Sequence, residues 1–299
     1  MSTATEQTER LIEFANKQLS RLEKHFDGVQ EQGDVDAVHD FRVASRRLQE
    51  PLQVVANWTS RRATGRAEKR LKRLRRALRE VRDLDVLFES LREPGTAPEL
   101  SDCDRDRLEH LLIDRRRRKL AKARARLLDR KPHKVQEQVT ELIGVFRTRT
   151  ADEREAVIDA VNAQWRQRAE AVLAQHPADD ASTDLHECRI LLKKLRYTTE
   201  LLRRMEERKK GALIDALTTM QDVLGAWNDD QFAVRALAGC ATQEKTLGRS
   251  ARFSGAVLKC AAERAAHAEG KRREALAAWP ELRRAIEAEC TERSQPLAV

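Results

Sequence analysis

The stretch VHDFRVASRRLQEPLQVV, residues 38–55, can be laid without a gap over LHECRILLKKLRYTTELL, residues 185–202. His39 falls on His186, Arg42 on Arg189, and the basic pair Arg46-Arg47 on Lys193-Lys194, 147 positions later. A second landmark follows each copy: ALREVRDLDVL at 77–87 parallels VLGAWNDDQFAV at 223–234, with Asp83 on Asp229 at an offset of 146. Two linked landmarks in the same order predict an internal duplication. The fold must therefore be one that a chain can build twice.

Apolar residues recur at a spacing near 3.6 from end to end, the period of helices that bury one face. Aromatics make up only 4% of the chain, with 11 Gly and 7 Pro against 36% charged residues, so strand formers and turn signals are scarce. An all-α fold follows. The spacing predicts helices over 5–27, 36–57, 62–92, 102–130 and 134–146, then 152–176, 184–207, 210–226, 229–244 and 250–289. Asp34 or Asp36 is placed to cap the second, Asp102 or Asp104 the fourth, and Pro280 to bend the last. The expectation is a single domain over 5–290 made of two pseudo-twofold-related antiparallel helical bundles, 5–148 and 151–290, with a basic groove between or along them.

On a helix, His39, Arg42 and Arg46 fall within about 60° of one another, while Phe41, Ala44, Leu48, Leu52 and Val55 gather on the opposite side. The second copy repeats this: His186, Arg189, Lys193 and Arg196 form a stripe, and Cys188, Leu191, Leu192, Leu195 and Leu202 face away. The third helix adds Lys72, Arg75, Arg79 and Arg82 beside an apolar face of Leu71, Leu74, Leu78 and Val81, with Asp83 able to hold a neighbouring guanidinium. Most basic residues on helices are a solvated face. These stripes differ in being short of neutralising acids, and unneutralised like charges at helical spacing are destabilising. A ligand that supplies negative charge would offset that.

The formal net charge is +9, and all of the excess lies in residues 1–150, which hold 34 Lys/Arg against 25 Asp/Glu. Two runs dominate, 61–82 and 115–131. Such a field attracts polyanions or anionic surfaces. No apolar run approaches the roughly 18 residues of a membrane span, and the acidic, polar start is no secretory signal. The five Cys are scattered without CxxC spacing, which reads as a reducing cytosol with neither disulfides nor a zinc site.

VHDFRVASRRL and LHECRILLKKLRY, with VRDLDVL and LGAWNDD, resemble the CHAD family, the α-helical domain named for its histidines. The resemblance covers about 5–290. It implies two helical bundles around a basic groove that binds inorganic polyphosphate, and cytoplasmic association with polyphosphate granules. Carried onto matching positions, the anion-binding set is His39, Arg42, Arg46, Arg47, His186, Arg189, Lys193, Lys194 and Arg196, which Lys72, Arg75, Arg79 and Arg82 join by their place on the third helix. The Glu-x-Glu-x-Lys signature of the often fused CYTH domain is missing from the sequence, so a stand-alone module is expected. Gln49 departs from the pattern where the second copy has Arg196.

The chemistry suits that ligand independently. Polyphosphate carries phosphate charge without bases, and these stripes supply guanidiniums and ammoniums without aromatic stacking faces. Nucleic-acid binding is the nearest competitor, because charge alone seldom excludes DNA or RNA. A metal-dependent phosphohydrolase is the enzymatic alternative: His39-Asp40 imitates a His-Asp metal pair, but adjacent helix residues diverge by about 100° and the second copy reads His186-Glu187. A helical scaffold that binds acidic proteins or a membrane surface comes third, and no basic amphipathic helix with exposed Trp or Phe favours the membrane. The sequence calls for no cofactor, metal or catalytic residue, and leaves the oligomeric state open.

Overall fold

A computed structural model describes residues 4–93, 100–129, 132–177, 184–208, 211–246 and 251–294. They form helices throughout, with no strand among the described residues. In order these are α1 (Ala4–Glu31), α2 (Val35–Arg47), α3 (Gln49–Val55), α4 (Arg61–Ala77), α5 (Arg79–Arg92), α6 (Asp102–Asp129), α7 (His133–Arg147), α8 (Ala151–Leu173), α9 (Leu185–Met205), α10 (Ala212–Thr246) and α11 (Ala251–Ser294). The all-α expectation holds.

Local sequence sets the starts. Asp34 accepts from Ala37 N at 2.5 Å and so caps α2, Asp184 accepts from His186 N at 2.8 Å at the start of α9, and Thr150 and Glu153 cap α8 reciprocally. Gly33, between α1 and α2, has φ +65°, and a side chain there would run into Leu120. Glycine satisfies both demands.

Three boundaries depart from the expected pattern. The predicted 36–57 helix breaks at Leu48 into α2 and α3. Pro51 explains this, since it offers no N–H to the carbonyl of residue 47 and crowds it. The predicted 62–92 helix breaks at Leu78, whose φ −93° and ψ 2° lie outside the helical region. Conversely, the expected break between 226 and 229 does not occur: α10 runs through Asn228 and Asp229. Gly225 is tolerated there, and Leu224 and Ala233 are buried on either side, so packing holds the stretch helical. The last helix likewise continues through Pro280 to Ser294.

Packing buries the faces that the helical period marked. Phe41, Leu48, Leu71, Leu74, Leu78, Val81, Cys188, Leu192, Leu195 and Leu202 have no exposed surface. The buried side chains gather in two clusters. The larger joins α1 to α2, α3, α4, α7, α8 and α9, together with the near end of α10 and the far end of α11. The smaller joins α5 and the start of α6 to the second half of α10 and the start of α11. Each cluster thus draws on both halves of the sequence. Two buried aspartates tie the smaller one together: Asp85 holds Arg116 of α6, and Asp230 holds Arg264 of α11 at 3.3 Å. On α5 and α10 the changeover between clusters falls at residues 82–83 and 225–232, and there the polar site opens.

Candidate functional site

At that seam lies a cavity of about 460 Å³. From α2 it is bordered by His39, Arg42 and Arg46, and from α9 by His186, Arg189, Lys193 and Lys194. Lys72 and Arg75 of α4, with Arg79 and Arg82 of α5, close a third side. Eleven of the thirteen cationic residues singled out in the sequence therefore border one space, although they lie up to 155 positions apart. The two faces marked by the repeated motif meet there.

Arg47 and Arg196 stand apart from it. Arg47 Nη2 lies 3.4 Å from Glu200, and Arg196 Nε donates to the same carboxylate at 2.9 Å while its Nη1 donates to Gln221 at 3.1 Å. These two arginines join α2 to α9 and α10 outside the cavity rather than facing into it. The pairing was invisible in sequence because Glu200 lies 153 positions from Arg47. Residues that sequence reasoning passed over also line the wall: Arg76, Gln49, Glu50 and Tyr197, with Val43, Val86 and Ile190 as apolar patches. Arg76 lies one turn after Lys72 on α4 and so shares its face toward this space.

The two helix breaks shape the site. Breaking α4 from α5 frees the carbonyl of Arg75, and Arg42 Nη1 donates to it at 2.7 Å. Arg75 returns the contact: its Nη1 donates to the Ser45 carbonyl at 3.0 Å and its Nη2 to Gln49 Oε1 at 2.6 Å, both beside the break in α2–α3. Each guanidinium thus satisfies backbone freed by a helix break in its partner's element. Behind this clasp, buried Glu50 is held by Arg168 of α8, which also reaches Gln53, Thr198 and the Lys194 carbonyl at 3.0 Å. Glu50 is the acid four residues beyond Arg46. It is committed to Arg168 and leaves Arg46 without it.

The other cations are far less engaged. Arg46, Lys72, Arg76, Lys193 and Lys194 make no side-chain hydrogen bond or ion pair among the described residues, and Arg189 Nε is buried without an acceptor. Arg79 approaches Asp83 only to 3.7 Å, and Arg82 approaches Glu89 at the same distance. Around the wall, ten Lys/Arg side chains stand against three carboxylates, Glu50, Asp83 and Asp229.

Crowding shows in the titration of these groups. Burial, then repulsion from Arg46, lowers Arg42 to about 9 and Arg75 to about 10, so both remain cationic at neutral pH. Lys193 falls to about 6 through burial, with Arg189 and Arg46 adding to it. Arg189 is lowered by burial against the pull of Asp229. His39, at the exposed rim, is lowered by partial burial and then by Arg82, which keeps it neutral near pH 7. Burial raises both Asp83 and Asp229 despite the cations around them. The excess of cations gives the cavity a positive field, and arginine-rich walls suit phosphate oxygens. Asp40 turns away from His39 to lie 3.5 Å from His25, so the adjacent His-Asp pair does not converge on one point.

Comparison with known proteins gives consistent results. The CHAD domain family model matches residues 13–238. Among solved structures, the chain resembles a CHAD domain from the plant Ricinus communis with a TM-score of 0.61 at 23% identity, covering 91% of each chain. It also resembles PptA from Streptomyces chartreusis with a TM-score of 0.56 at 16% identity, covering 92% of this chain and 98% of that one. At these identities the likeness speaks for the fold. No curated protein matches the chain. No helix among the described residues is long and apolar enough to cross a membrane.

Proposed function

The chain belongs to the CHAD domain family, and from that premise we propose that its cationic cavity binds inorganic polyphosphate. The observation that carries this reading is the set of uncommitted cations from α2, α4, α5 and α9 around one space. Arg46 and Arg189 both bear on Lys193 across the two motif helices, and these three are assigned the principal phosphate contacts. His186, Lys194, Lys72, Arg76, Arg79 and Arg82 extend the positive wall. Arg42 and Arg75 hold the wall in shape through their carbonyl clasp and present their remaining N–H groups to the ligand. A phosphate chain entering here replaces like-charge repulsion with charge-assisted hydrogen bonds.

The function proposed is binding rather than turnover. The cavity's carboxylates are embedded among guanidiniums, and Asp40 lies toward His25, an arrangement that supports binding over turnover. Duplex DNA carries comparable charge but has a wider cross-section, and single-stranded RNA brings bases that gain little from a wall with one tyrosine. Attachment to polyphosphate granules in the cytoplasm follows from the same reading.

Replacing Arg46, Arg189 and Lys193 together with alanine tests it. Polyphosphate affinity is expected to fall by two orders of magnitude or more, with helical content by circular dichroism unchanged. An affinity within threefold of the parent protein would place the ligand elsewhere.

A further inference from the structure

Resting on the groove reading, one feature of the cation cluster gives the binding step a further property. Lys193 lies half-buried in the wall between α2 and α9, with neither a hydrogen bond nor an ion pair among the described residues. Arg189 stands one turn before it on α9, and Arg46 and Arg42 bear on it from α2. The acid that bears on it is Asp229 of α10, which also answers to Arg189 and Arg82. Farther round the wall stand Arg75 on α4 and Asp83 on α5, while Glu50 on α3 is held by Arg168. The amine is thus partly withdrawn from water and set among three guanidiniums with one carboxylate for relief.

We propose that Lys193 is the proton-coupled residue of the groove: an anion entering between α2 and α9 is captured together with a proton at this amine. In the free protein, burial and the flanking arginines bring Lys193 down from 10.5 to about 6, so the amine is neutral at pH 7 to 8. A phosphate oxygen brought beside it supplies the missing negative charge and raises its proton affinity. The proton comes from solvent, and the bound state holds an ammonium between Arg189 and the ligand. Arg189 Nε, buried without an acceptor one turn away, provides the adjoining donor.

The sign follows from linkage. Above the free-state value and below the bound-state value, each unit of falling pH strengthens binding roughly tenfold per proton taken up. Below about pH 6 the amine is already charged and the dependence flattens. The groove therefore binds its ligand loosely in alkaline conditions and tightly as the medium acidifies, and retains its permanently charged arginines throughout.

The test is calorimetric titration of the full chain with long-chain polyphosphate at pH 6, 7 and 8 and fixed ionic strength. Running each pH in two buffers of different ionisation enthalpy counts the protons taken up. The parent protein is compared with Lys193→Arg, which is permanently charged, and Lys193→Gln, which is permanently neutral. The phosphate chain ends are common to all three titrations and cancel in the comparison. The expected result is close to one more proton taken up at pH 7 to 8 by the parent than by either variant. Its affinity falls about tenfold between pH 7 and 8, and the variants fall markedly less. If Arg does not fit the site and weakens binding, the Gln variant still has to lose the extra proton. Equal proton uptake and equal pH slopes in parent and variants would overturn the proposal. A parent protein that binds no polyphosphate at any pH would instead overturn the groove reading.

Discussion

Arg46 is the residue at which function and stability pull hardest in opposite directions. Its charge depresses the proton affinity of five neighbours, His39, Arg42, Arg75, Arg189 and Lys193, of which the three arginines are charged at neutral pH and repel it. Its own side chain makes no hydrogen bond or ion pair among the described residues, and Glu50, which could have neutralised it, is held by Arg168. Removing the guanidinium therefore deletes repulsion and breaks no contact. A like-charge neighbour on a half-exposed surface is worth a few tenths of a kcal/mol, and of the five Arg42, Arg75 and Arg189 carry charge at neutral pH, so the repulsion sums to about 1 kcal/mol. For a chain of this size that corresponds to a rise in Tm of about 1.5–2 °C. Arg46→Ala is thus expected to melt later than the parent at low salt and to bind polyphosphate more weakly. Raising the salt should erase the stability gain, since repulsion over distances near 10 Å is screened at about 0.1 M. Thermal denaturation at two ionic strengths measures it. A variant that melts several degrees earlier would show that Arg46 holds the helices together, and the reasoning about uncommitted cations would fail.

Other substitutions separate the roles assigned within the wall. Arg42→Ala and Arg75→Ala each remove charged hydrogen bonds to freed backbone carbonyls and should destabilise by about 1.5–3 kcal/mol. Their effects should not add in the double variant, because both act on one clasp; additive losses in urea denaturation would contradict the clasp. Arg47→Ala and Arg196→Ala, whose side chains are held by Glu200 outside the cavity, should leave polyphosphate affinity within about twofold. A tenfold loss in either would extend the binding surface beyond the cavity.

What could be read from the chain alone follows from which interactions are local. The helical faces were legible because burial repeats every 3.6 residues: Phe41, Leu74 and Leu195 lie where the period puts them. His39, Arg42 and Arg46 were legible as a stripe, and His186, Arg189 and Lys193 as its copy, because the same geometry places them opposite that face. The break at Leu48 is written in the sequence as Pro51. The break at Leu78 carries no such mark, because it depends on Arg42 arriving from another helix to satisfy the Arg75 carbonyl. The continuity of α10 through Asn228 and Asp229 was hidden for the same reason: packing on both flanks, not local propensity, decides it. Arg196 and Glu200 are an i,i+4 pair that the sequence offers, whereas Glu200's capture of Arg47 and Arg168's capture of Glu50 join residues far apart in sequence. Pattern reasoning sees which cations share a face. It does not see which of them already have a partner.

The central claim is that the cavity discriminates polyphosphate from other polyanions by its narrow wall of uncommitted cations. The measurement that tests it most directly is a salt-controlled titration of the protein with long-chain polyphosphate, with duplex DNA and single-stranded RNA as competitors. The account predicts tight polyphosphate binding that a large excess of either nucleic acid fails to displace. Equal displacement by all three at matched phosphate concentration would contradict it and reduce the site to a generic basic surface.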